Sequence, residues 1–169
     1  ARTVSLHIFN HRSIWQQALL ALLLCCIAAC TGEYSLDGLE QKFIARRQQI
    51  DELRVLATQV AMTTSINGYS VATTQFLLEG DKFVSIPESL EQFTSAKDQL
   101  LRITALVHEI GLSGFSVTRG NSIYIMMSTG GALGSSSGYI YDESKRLLKR
   151  TQKKKKISGE QHWYVFLSS

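Results

Sequence analysis

Apolar residues recur at Leu39, Phe43, Ile50, Leu53, Ala57 and Val60, and this spacing predicts an amphipathic helix of about 22 to 25 residues. Asp37, with Glu40 three residues on, has the capping-box pattern at its start. Arg46 falls at the centre of the stripe. In a helix that packs within its own domain, its stem runs along the surface with the guanidinium in water; the alternative is a short coiled-coil seam to a partner. Thr63 to Thr74, with Asn67 and Gly68, breaks the period and reads as a turn or loop. Phe76 to Leu78 and Lys82 to Ser85 flank Glu79, Gly80 and Asp81, which fits either a short hairpin or a helix end capped at Gly80.

A second helix is announced by Ser85, Pro87 and Glu88, which supply an N-cap, a first-turn proline and an acid at the third helical position. Leu90, Phe93, Leu100 and Val107 form one row, Leu101, Ile103, Leu106 and Ile110 widen it, and Gly111 and Gly114 end it. From Phe115 the period changes to two. Phe115 to Arg119 and Ser122 to Ser128 read as a hairpin, and Tyr139 to Tyr141 and His162 to Leu167 as further strands. Asp142 to Arg150 fits a short helix. These elements predict an α+β domain: two long amphipathic helices packed on a small antiparallel sheet formed mainly by the C-terminal half.

The N-terminal segment follows different rules. Ala18 to Ala29 is an unbroken apolar run behind Arg2 and Arg12. As a helix it would be about 18 Å long, against about 30 Å for a bilayer core. It therefore fits the apolar region of a signal peptide better than a transmembrane anchor. The run ends in Ile27, Ala28, Ala29 and Cys30, followed by the polar Thr31, Gly32 and Glu33, and so resembles the lipobox of bacterial lipoproteins. Cys25 and Cys26 are preceded by Leu24 and Cys25, where a small residue is wanted. The resemblance implies cleavage between Ala29 and Cys30, a diacylglyceryl thioether on the Cys30 sulfur and an acylated amine. Two or more chains give stable anchoring. The alternatives are an ordinary cleaved signal or an uncleaved anchor. With no Asp after the cysteine, the resemblance also implies the outer membrane, facing the periplasm, with inner-membrane retention as the alternative. The expected organisation is a signal peptide over 1–29, a lipidated tether over 30–36 and one α+β domain over 37–169.

Composition adds an asymmetry. The 169 residues carry 18 Lys and Arg against 14 Asp and Glu. Residues 145–169 hold eight basic residues and one acid, a net of +7, while residues 30–144 hold eight basic and thirteen acidic, a net of −5. The run Lys153, Lys154, Lys155 and Lys156 is the densest part. It reads as a solvated turn before the last strand or as a contact patch for anionic envelope components, such as lipid phosphate or an acidic protein. Nucleic acid is disfavoured, because no aromatic residues interleave the lysines to stack bases.

Catalytic motifs are sparse. Gly134 to Gly138 formally matches G-x-S-x-G, with Ser136 at its centre and Asp142 and His162 following in the chain order of a hydrolase triad. The motif needs a strained strand-to-helix turn, and here an aromatic strand follows instead. Gly130 to Gly134 lacks the Lys-Ser/Thr of a phosphate-binding loop. His108 and His162 have no second His or Cys at metal-ligand spacing, so no metal and no cofactor is expected. The sequence thus predicts a non-catalytic outer-membrane lipoprotein with a periplasmic binding or scaffolding domain; the alternative is a small envelope serine hydrolase using Ser136, Asp142 and His162.

Overall fold

The computed structural model describes residues 35–118, 122–127, 136–147 and 153–168. Ala29, Cys30, the apolar run before them and the Gly130–Gly134 loop lie outside the described residues. The chain divides into Ala1–Ser35 and Leu36–Ser169, and the architecture below is that of the second unit.

The fold is α+β. Helix α1 spans Leu36–Thr63, and α2 (Ile86–Gln92) and α3 (Lys97–Ile110) lie between two runs of strands. The strands are β1 (Ile66–Ser70), β2 (Gln75–Leu78), β3 (Lys82–Ser85), β4 (Leu112–Thr118), β5 (Ser122–Met127), β6 (Ser136–Tyr141), β7 (Lys153–Lys156) and β8 (Trp163–Ser168). They form one sheet in the order β3-β2-β1-β4-β5-β6-β8-β7, with every neighbouring pair antiparallel.

Helix α1 buries the stripe expected of it, Leu39, Phe43, Ile50, Leu53, Ala57 and Val60. It runs antiparallel to α3, as three contacts in reversed order establish. The Arg46 Nη1 donates to the Glu109 carbonyl (2.7 Å), Arg102 forks onto the Glu52 carboxylate (2.8 and 3.0 Å), and Gln99 reaches Gln59 (3.4 Å). Arg46 therefore supplies a donor and a positive charge to the last turn of α3, where carbonyls lack intrahelical partners. Both helices cover the same sheet face, and their apolar residues share one core with Tyr69, Phe76, Phe115, Ile125, Tyr139 and Val165.

Three expectations need correction. Thr63 to Thr74 is not simply loop: Ile66 to Ser70 forms β1, inside the sheet between β2 and β4. The helix announced at Ser85 starts there, with the Ser85 amide donating to the Glu88 carboxylate (3.3 Å), but it breaks at Phe93 into a 3-10 turn at Thr94–Ala96 before α3 begins. Thr94 and Ser95 favour that break, since short hydroxyl side chains compete for backbone groups. Third, Asp142 to Leu147 makes turns rather than an α-helix; residues 148–150 of that expectation lie outside the described residues. Of the two alternatives for the 76–85 segment the structure has the hairpin, with β2 paired to β3, and the expected helix stop holds: α3 ends at Gly111, whose φ of 79° suits glycine and whose amide donates to Val107 and His108.

Candidate functional site

The four-lysine run is an edge strand. β7 pairs only with β8, in the register Lys153↔Leu167, Lys154↔Phe166, Lys155↔Val165 and Lys156↔Tyr164. Because successive side chains of a strand alternate between faces, this register splits the run. Lys155 joins the cross-strand row Val84, Phe76, Tyr69, Phe115, Ile125, Tyr139 and Val165, which faces the helices. It is the only lysine in a row otherwise built of buried apolar side chains.

Glu40 explains how a lysine is tolerated there. Its side chain is buried in the first turns of α1, and its two oxygens accept from Lys155 Nζ (2.6 Å) and the Ser158 amide (2.7 Å). Lys155 also donates to Asp37 (2.6 Å). Glu40 therefore clamps the β7–β8 turn to the start of α1 and is not the capping-box acid that its spacing suggested. The Lys155 ammonium, then the Ser158 amide, pull the Glu40 pKa from 4.5 down to about 2. Asp37 and then Glu40 push that of Lys155 up. A charged hydrogen-bonded pair of this kind satisfies groups that would be costly to leave unpaired.

Lys154 and Lys156 point to the opposite face, which no described helix covers. They continue the rows that contain Phe166 and Tyr164. Beside them Ile140 and Phe166 are buried in a small second cluster with Tyr124, Tyr164 and Leu147.

The serine, acid and histidine of the alternative reading are not assembled into a triad. Ser136 opens β6 and Asp142 follows its last residue, so the two lie about 20 Å apart along the strand, at about 3.4 Å per residue. Asp142 is fully buried, and its carboxylate accepts from Ser122 Oγ (3.0 Å), Ser144 N (3.0 Å), Ser144 Oγ (2.8 Å) and Leu147 N (2.8 Å). It meets His162 through the backbone, its amide donating to the His162 carbonyl (3.0 Å). Gly138, the last residue of the motif, sits where the Ile125 carbonyl oxygen of β5 occupies the space of a Cβ. The glycine serves close approach within the sheet.

An open cleft of about 320 Å³ lies between α1 and the β8 end, lined by Arg47, Asp51, Tyr141, Glu160, His162 and Trp163 among others. Its charges are paired internally. Arg47 is bonded to Glu160, Arg54 reaches Asp51 (2.9 Å) while its guanidinium stacks 4.4 Å over the Tyr141 ring, and Tyr141 donates to Glu143 (2.5 Å). Burial first, then Glu143, raises the Tyr141 pKa. The arrangement ties α1 to the sheet.

No protein-family model, curated protein or solved structure matches the chain. Among the described residues no group of three or more His, Cys, Asp and Glu is arranged to hold a metal ion, and no helix is long and apolar enough to cross a membrane.

The sequence reading missed Glu40, and the signal was present. Glu40 lies three residues before Phe43 and next to Leu39, on the apolar face of α1, where an acid needs a partner. Arg47 and Glu160, 113 residues apart, carry no comparable mark.

Proposed function

We propose that this chain is an outer-membrane lipoprotein, anchored through lipid on Cys30, whose periplasmic α+β domain is a non-catalytic module that holds a basic strand against an anionic envelope surface. The observation that carries the reading is the tie between β7 and the start of α1: Lys155 bonds Asp37 and Glu40, in the first turns of the helix that follows the tether. Cys30 and Leu36 are six chain steps apart, a reach of about 20 Å at most when extended. Lipid on Cys30 would thus keep the lysine strand near the bilayer. There, each lysine is worth about 1 kcal/mol at an anionic surface.

The separation of Ser136 from Asp142 removes support for a serine hydrolase. Metabolic labelling with palmitate tests the anchor. The wild-type chain incorporates label and Cys30→Ala does not; equal labelling of the variant contradicts the assignment.

A further inference from the structure

Charge on this domain is sorted by layer as well as by sequence. Helices α1 to α3 carry Asp37, Glu40, Asp51, Glu52, Glu88, Glu91, Asp98 and Glu109, whereas none of the eight strands carries a carboxylate. The face of the sheet turned away from the helices is therefore free of strand acids, and at its β7 end it bears Lys156 beside Tyr164.

The turn after β6 adds to this face. Leu147 packs against the Ile140 and Phe166 cluster, as Tyr124 and Tyr164 do, and its carbonyl accepts from the Tyr124 hydroxyl (3.4 Å). The buried Asp142 holds the same turn through the amides of Ser144 and Leu147. Lys145 and Arg146, immediately before Leu147, are exposed, and Lys145 adopts a left-handed φ of 58°. Leu147, the residue that follows them, is thus anchored on the face that carries Lys156, which sets Lys145 and Arg146 next to that face although the sequence separates them from Lys156 by about ten residues. Glu143, the exposed acid in this turn, is engaged by the Tyr141 hydroxyl.

We propose that the membrane-contacting surface of this domain is the face of the sheet that no described helix covers, with Lys145, Arg146 and Lys156 as its cationic contacts, and that its occupant is the anionic phospholipid surface of the leaflet holding the anchor. This rests on the lipid-anchored reading above. Charge complementarity selects the face, and the short tether selects phospholipid over a distant polyanion. Tyr124 and Tyr164, half-buried rings with polar tips, suit the headgroup zone next to these cations. Lys155 is assigned to the clamp with Glu40 and takes no part.

The test uses the full lipidated protein reconstituted in vesicles of phosphatidylcholine alone or with phosphatidylglycerol, treated with a water-soluble acetylating reagent and read lysine by lysine by mass spectrometry. Acetylation of Lys145 and Lys156 falls about fivefold on the anionic vesicles and recovers in high salt, while Lys97 on α3 is unchanged. If Lys153 is protected and Lys145 and Lys156 react equally on both vesicles, the face is wrong and the anionic contact stands. If no lysine between 145 and 156 is protected, both the face and the reading beneath it fail.

Discussion

The two faces of the sheet are made by the same strands and differ in almost every other respect. Toward the helices, the row from Val84 to Val165 is apolar throughout and buried, and Lys155 at its end is neutralised by Glu40 and Asp37. Away from them, the adjacent row reads Phe83, Leu77, Gly68, Ser116, Tyr124, Ile140, Tyr164 and Lys156. Phe83 is 56% exposed at one end of this row, and only the β5–β8 end builds a cluster of its own. Lys155 and Lys156 are neighbours in sequence, yet one is structural and the other is offered to the surroundings. A charge run in a strand is two half-runs, and the packing layer decides which half is available.

This contrast can be broken most severely within the sheet. Gly138 lies on the face that no described helix covers, and a Cβ there falls on the Ile125 carbonyl oxygen, which is backbone and cannot swing away. Gly138→Ala is expected to cost about 3 kcal/mol, at the upper end for overpacking, measured as a lower urea midpoint with an unchanged slope. A near-neutral result would mean that the β5–β6 approach is looser than described.

A smaller effect separates Lys155 from its neighbours. The folded pKa of Glu40 is depressed from 4.5 to about 2, so its clamp stabilises the fold fully above about pH 4.5 and is lost as pH falls toward 2. Acid unfolding of wild type should steepen across that window, and Glu40→Gln should be less stable at neutral pH but show a shallower decline. Parallel acid profiles for the two proteins would remove Glu40 as the clamp.

Much of the fold was legible because it rests on local periodicity. The stripe of α1, the start at Ser85, the stop at Gly111 and the strands from Phe115 onward each leave a pattern within a few residues. β1 was hidden because Ile66, Asn67, Gly68, Tyr69 and Ser70 read as turn chemistry, and only its place between β2 and β4 makes it a strand. β7 was hidden for a related reason, since four lysines have low strand preference and depend on pairing with Trp163–Ser168. The charge asymmetry itself was visible, but its division into a clamped lysine and a presented one depends on register. The partner of the clamped lysine, Glu40, lies 115 positions away, and nothing local to either residue names the other.

The most direct measurement is sedimentation of the Leu36–Ser169 unit, without its lipid, with vesicles of phosphatidylcholine alone or with phosphatidylglycerol. The account predicts binding to the anionic vesicles at low salt, release as salt is raised and no binding to the neutral ones. Equal partition onto both vesicles, or binding that salt does not weaken, would contradict it.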